Sequence, residues 1–140
     1  MILVGLDFGE RRIGVAVSDP RGLVAQPLRL IERRSLAEDV GRIRELVEAK
    51  KAERIVVGLP LNMNGSIGPA ARRARRFASR IARELGMEVV LQDERLSTVE
   101  AERALLAEDR SRAQRRELRD AVAAALILQS YLDVQRSADR

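Results

Sequence analysis

Asp7 lies near the end of an otherwise apolar, β-forming stretch, ILVGLDFG, where a charge has no place unless it is paired or binds something. Side chains alternate along a strand, so Gly5, Asp7 and Gly9 share one face. The two glycines are expected to leave that face empty beside the carboxylate, giving room for an ion or a close backbone approach. Glu94 ends a second apolar stretch, EVVLQDE, and Asp120 is expected at the start of a last helix, on the face that carries Ala124, Ile127 and Tyr131. Three acids converging in a partly dry site repel one another and call for a cation. Two Mg²⁺ or Mn²⁺ ions about 4 Å apart would meet that need. One would activate water and the other would stabilise the leaving oxygen of a phosphodiester.

Such chemistry needs neither histidine nor cysteine, and the 140-residue chain has neither. Cys/His zinc sites, Ser-His-Asp and Cys-His nucleophiles and histidine acid-base catalysis are thereby excluded. The length fits one domain, residues 1–140, with no internal repeat or linker composition. The net charge is +5, and Lys50 and Lys51 are the only lysines. Arginine recognises phosphate in a planar, bidentate manner, so a polyanionic partner is expected. The chain enters a strand directly after Met1, without the pattern of a signal peptide, and its longest apolar run falls far short of the ~20 residues of a membrane span. Both features imply a cytoplasmic protein without a membrane partner.

The elements that must position the acids follow from periodicity and turn chemistry. Residues 2–9 and 12–18 read as a hairpin, Asp19-Pro20-Arg21-Gly22 as a turn, and residues 23–31 as a third strand, with Pro27 marking an edge. Ser35 and Glu38 form a capping box for a helix reaching about residue 49. Residues 54–60 hold the run IVVGL, as in a strand covered on both faces. Pro69 fits the first turn of a helix that Gly86 ends. That helix sets Ala74, Phe77, Ala78, Ile81 and Leu85 on one arc and Arg72, Arg76, Arg80 and Arg83 on the other. Residues 88–94 form a fifth strand, Ser97 and Glu100 cap a helix to about residue 106, and a last helix spans 118–134. Tight turns make the first three strands antiparallel, and helical crossovers make the last two parallel to the first. The fold class is thus α/β, a mixed five-stranded sheet with helices on both faces, an arrangement similar to the ribonuclease-H-like fold. Asp7 and Glu94 end strands at one edge of that sheet, the edge where ligands of open α/β sheets bind.

The segments LDFGERRIGVAVSD, VVGLPLNMNGS, FASRIA, LQDERLSTVEAE and DAVAAALILQSYL, in this order over nearly the whole chain, resemble the YqgF/RuvX family. The resemblance implies a ribonuclease-H-like nuclease that matures the 5′ end of pre-16S rRNA or, alternatively, resolves branched DNA of the Holliday junction type. It also places the family's acidic triad on Asp7, Glu94 and Asp120, as catalytic residues and as ligands of Mg²⁺ or Mn²⁺. Arg11, Arg12, Asn62, Asn64, Arg72, Arg76, Arg80 and Arg95 are the candidate nucleic-acid contacts, with Gly5, Gly9, Ser97 and Thr98 in support. Ser97 reads as a helix cap rather than a nucleophile, because no base stands beside it. Asp93 should face away from Glu94. RRELRD before Asp120 departs from the Gly- and Lys-containing approach of the family. Two other classes fit part of the pattern: an actin-like ATPase or sugar kinase, through DFG and the hairpin, and a non-catalytic rRNA-binding assembly factor. The chain would act as a monomer for end trimming or as a homodimer for symmetric cleavage.

Overall fold

The computed structural model describes residues 1–95 and 112–138, the side chains of residues 112–120 excepted. Five strands form one mixed sheet in the order β3-β2-β1-β4-β5. β1 (Leu3–Phe8), β2 (Arg12–Ser18) and β3 (Ala25–Glu32) are antiparallel neighbours. β4 (Arg54–Leu59) runs parallel to β1, and β5 (Glu88–Asp93) parallel to β4. Connection length explains the directions. Gly9 N–H donates to the Arg12 carbonyl at 2.9 Å to close the first turn, and Gly22 N–H to the Asp19 carbonyl at 3.0 Å to close the second. Parallel neighbours are reached only through helices. β3 is an edge strand, and Pro27 sits where its pairing with β2 shifts register between Val15 and Ala16, a place that tolerates a missing N–H. β3 begins at Ala25 rather than at residue 23, because Asp19 Oδ1 accepts the N–H groups of Leu23 (2.7 Å) and Val24 (2.9 Å) and keeps both in the turn.

Strand alternation divides the core into two layers. α1 (Leu36–Lys50) and α2 (Pro69–Leu85) cover one face, burying Ile43, Val47, Phe77 and Ile81 with Val4, Leu6, Val15 and Val57. α3 (Arg112–Ala138) covers the other face, burying Ala124, Ile127, Leu128 and Tyr131 with Leu3, Ala16 and Val56. Helix ends follow their sequence signals: Ser35 Oγ accepts the Glu38 N–H at 3.1 Å, Pro69 opens α2, and Gly86, at φ 63°, closes it. The last helix is the exception, since it begins at Arg112 and not at residue 118, and ends at Ala138 and not at 134. Its added first turn, RAQRRE, is made of good helix formers, and a run of charges reads as a loop only where propensity is ignored. The helix expected over residues 97–106 lies outside the described residues. No helix among those described is long and apolar enough to cross a membrane.

α3 rests on the sheet at close range. A Cβ at Gly5 would stand 2.7 Å from Leu128 Cβ and 3.1 Å from the Ala124 carbonyl oxygen, neither of which can swing away. Polar contacts hold the helix in register. Gln129 Oε1 accepts the Ala25 N–H at 2.9 Å, Gln129 Nε2 donates to the Leu23 carbonyl at 3.0 Å, and Arg54 Nη1 donates to the Tyr131 hydroxyl at 2.9 Å.

On the opposite face, Phe8 stacks on Phe77 with ring centroids 4.1 Å apart, and the Arg33 guanidinium lies 4.2 Å over Phe8. Arg33 Nη1 also donates to the carbonyls of Gly9 and Glu10, both at 3.2 Å. Behind it stands Asp39, fully buried, which accepts the Arg34 N–H at 3.0 Å, pairs with Arg42 and faces Arg33 Nε at 3.5 Å. The turn after Asp7 is therefore tied to the start of α1.

Gly5→Ala should lower the unfolding free energy by about 1–3 kcal/mol, the usual penalty of overpacking. An unchanged urea midpoint would show that α3 is free to lift. Asp39→Ala should cost about 3 kcal/mol, because it leaves arginines without their buried counter-charge.

Candidate active site

β1 delivers Asp7 to its C-terminal end, on the face where Leu3 and Gly5 pack against α3. The last paired residues of β1 and β4 are Leu6 and Val57, so one step outward Asp7 lies beside Gly58. The second acid enters at that glycine. A Cβ at Gly58 would stand 3.0 Å from Glu94 Cδ, 3.1 Å from Glu94 Oε2 and 2.6 Å from Ile127 Cδ1. Glu94 directly follows β5, and its N–H donates to the Leu59 carbonyl at 3.2 Å, which turns its side chain over the end of β4 on the α3 side. Asp7 and Glu94, both half-buried, thus occupy one face at the C-terminal ends of neighbouring parallel strands.

The glycine that makes room for a carboxylate is therefore Gly58, whereas at Gly5 and Gly9 it is the close backbone approach, and not an empty face, that holds. Gly5 is filled by α3, as described above. At Gly9 a Cβ would meet the Arg12 carbonyl oxygen at 2.8 Å, so this glycine serves the β1–β2 turn. Gly58 was present in the sequence as the one small residue of IVVGL, a signal of close approach that the apolar run concealed.

Asp120 lies in α3, whose direction is set by its contacts. Tyr131 meets Arg54 at the start of β4, whereas Ile127 reaches Gly58 near its end. Residue 120 is seven positions further towards the N-terminus, about two turns or ~10 Å, on the same helical face. The helix backbone is thereby carried towards the edge that holds Asp7 and Glu94. Because α3 begins at Arg112, Asp120 is not a first-turn acid. Its side chain falls outside the described residues, as do Ser97 and Thr98 altogether. Among the described residues no three acids group so as to hold a metal ion. The two described acids supply hard oxygen donors, with Gly58 leaving the space that Glu94 occupies, and a pair of carboxylates suits a divalent cation that completes its shell with water and phosphate oxygens.

Asp93 faces away from Glu94, as alternation requires, and grips Arg95. Arg95 Nη2 lies 2.8 Å from Oδ2, Arg95 Nε donates to both carboxylate oxygens at 3.2 and 3.1 Å, and the Arg95 N–H donates to Oδ1 at 2.9 Å. The Arg95 guanidinium and backbone N–H hold the Asp93 carboxyl below the usual carboxylate range. Arg95 extends to the 62–66 loop, where Nη1 reaches the Met63 carbonyl at 3.5 Å and crowds Gly65, whose φ of 87° demands glycine. Asn62 and Asn64 build this loop: Asn62 Nδ2 donates to Ser66 Oγ at 2.9 Å and Asn64 Oδ1 accepts the Ser66 N–H at 3.0 Å.

Other candidate contacts are spread more widely. Arg11 is exposed in the β1–β2 turn, and Arg12 pairs with Glu32 at 3.0 Å. Arg72, Arg76 and Arg80 lie on α2, across the sheet from the carboxylates; Arg72 donates to the Ile67 carbonyl at 3.3 Å and Arg80 pairs with Glu84 at 3.3 Å. Arg33 and Phe8, which hold the turn after Asp7, were not singled out by sequence, because their partners Phe77 and Asp39 are distant along the chain.

Known proteins share both sequence and architecture with this chain. A protein of Moorella thermoacetica named "Putative pre-16S rRNA nuclease" is 53% identical over 133 residues, covering 95% of each chain. One of the same name from Myxococcus xanthus is 50% identical over 139 residues, covering 99% of this chain and 92% of the relative. Among solved structures, Thermus thermophilus RuvC in complex with a Holliday junction substrate superposes with a TM-score of 0.61 at 17% identity, over 98% of this chain and 96% of that one. The large terminase nuclease of phage G20c does so with a TM-score of 0.54 at 16% identity, over 94% and 81%. These structural likenesses establish the ribonuclease-H-like fold. The family model described as RuvX, Holliday junction resolvase, matches residues 1–134, and the chain belongs to that family.

Proposed function

We propose that the chain is a divalent-metal-dependent nuclease that hydrolyses phosphodiester bonds during 5′-end processing of pre-16S rRNA in the cytoplasm. The observation that carries the reading is the seating of the Glu94 carboxylate in the space left by Gly58, at the strand end adjoining Asp7. A sheet that gives up a side chain at the end of a covered strand to admit a second acid beside the first is built to concentrate negative charge, which is unfavourable without a cation. The curated relatives, similar over nearly their whole length, bear the name of an rRNA nuclease and support RNA as the substrate. The family's description supports branched DNA as a second reading.

Asp7, Glu94 and Asp120 would hold Mg²⁺ or Mn²⁺, which when bound supplies Lewis-acid polarisation of phosphoryl oxygen and neutralises charge developing in the transition state. In this scheme the fold holds Asp7 and Glu94 close together, and the bound cation would offset the repulsion between them. Phe77 is buried against Phe8, Phe8 carries the Arg33 guanidinium over its ring and Tyr131 is buried, so no aromatic among the described residues offers an open platform for bases. Recognition then depends on backbone phosphates and on duplex shape. A monomer suffices for trimming an end, whereas symmetric cleavage of a junction uses a two-fold dimer.

Asp7→Asn should reduce Mn²⁺-dependent cleavage of a precursor 16S rRNA fragment by more than about 100-fold, since even the outer partners of metal ligands are worth 10–100-fold. Undiminished cleavage by the purified variant would remove Asp7 from the site. Gly58→Ala separates site from fold. The atoms it would displace, Ile127 Cδ1 and the Glu94 carboxyl group, are ends of flexible side chains, so the thermal midpoint should fall by only a few degrees while cleavage falls at least about tenfold. Wild-type cleavage with Gly58→Ala would mean that the position of Glu94 is immaterial.

A further inference from the structure

α2 contains six arginines and a single acid, Glu84, a surplus of five positive charges. The net charge of the whole chain is also +5, so all other residues together are neutral. A solubilising arginine content would be spread over the surface, whereas here the entire excess is on one helix. Its exposed side forms one wall of an open groove of about 580 Å³, lined by Arg72, Arg75, Arg76, Arg80, Arg83 and Ser79, with Leu36 at the start of α1 as the apolar contribution. At 100° per residue these arginines fall within one arc, and from Arg72 to Arg83 they extend about 16 Å along the helix axis. Arg75, Arg76 and Arg83 form no ion pair among the described residues, and of the five only Arg80 has an acidic partner, Glu84.

The groove is on the α1/α2 side of the sheet, and the carboxylates are on the α3 side. The two are linked at the functional edge. α2 starts after the loop that leaves the C-terminal end of β4, and Arg73 reaches Glu10 of the β1–β2 turn at 3.5 Å. The row of arginines begins near that edge and leads away from it.

We propose that this groove is a second nucleic-acid site, a track that holds the phosphate backbone of a duplex arm flanking the cleaved bond. Resting on the nuclease reading for its substrate, it adds that the substrate turns around the sheet edge and is gripped on both faces. Arginine suits the occupant, because its fork binds phosphate oxygens in pairs, and a linear array suits a polymer of phosphates better than a single anion. A structured RNA supplies such an arm.

The test uses the full chain carrying Arg75→Gln, Arg76→Gln and Arg83→Gln, with a matching triple Lys variant as control. Binding to a precursor rRNA hairpin is measured by fluorescence anisotropy in EDTA across a range of salt, with a long flanking duplex and with that duplex removed. The Gln variant should bind the long hairpin about 100-fold more weakly at low salt, and its log-log salt slope should be shallower by about 3, one per lost phosphate contact. The Lys variant should keep the slope. On the shortened hairpin the wild type should show the shallower slope by itself. An unchanged slope in a folded Gln variant, or equal slopes for long and short hairpins, overturns the track. So does polyglutamate that displaces the long hairpin from the wild type as well as a duplex RNA competitor does, which would assign the groove to an acidic protein segment. Metal-dependent cleavage is scored separately: its absence with the binding result intact refutes the nuclease reading and leaves the track standing.

Discussion

The close approach of α3 to the sheet is the constraint on which the rest depends. Gly5 lacks the atom that would hold the helix away, so Leu128 settles against the strand itself, while Gly58 gives room to the tip of Ile127. That contact fixes the depth of the helix, and Gln129 and Tyr131 fix its register at the far ends of the strands. A helix held at those points has little freedom to vary where its preceding turns emerge. Asp7 and Glu94 are brought together by pairing within the sheet, but any group that α3 contributes is placed by packing.

The strand end that carries Asp7 is held from the other side by a different kind of force. Phe77, Phe8 and Arg33 form a stack from the core outward, and Arg33 is braced by Asp39, which is wholly buried. Buried charges are expensive when unpaired, so Asp39 ties the start of α1 to arginines on either side of it. The turn after β1 is in this way part of the α1 structure. Strand, turn and helix move together, and a carboxylate mounted on them gains rigidity that its own half-buried position would not supply.

Much of this architecture was legible because it depends on local rules. The lengths of the connections after Phe8 and Ser18 dictate antiparallel pairing, and the capping residues Ser35, Pro69 and Gly86 sit where the helices begin and end. The positions of Asp7 and Glu94 at one edge follow from those rules alone. What escaped depends on contacts distant in sequence. A glycine in a strand announces that something comes close, but not what: at Gly5 it is a helix and not an ion, while at Gly58 it is a helix residue together with the second acid. Asp39 was hidden by its neighbours, since Ser35 and Glu38 already account for an acidic first turn, and only the fold shows that one acid there faces inward. The onset of α3 escapes apolar periodicity, which starts only at Leu118, because the Arg, Gln and Glu residues before it carry the helix by propensity alone.

Concentrating the surplus charge on α2 also determines how the molecule meets a polyanion before any contact forms. Arginine carries a permanent charge, and the chain contains no histidine. The off-centre positive charge is therefore a permanent feature of the particle, insensitive to acidity and altered only by the ionic atmosphere. A polyanion would exert a torque as well as an attraction on such a charge distribution, and the proposed track would lead during approach. The carboxylate edge, which a phosphate chain would repel in a head-on encounter, would then come in sideways, pivoting about a face already in place.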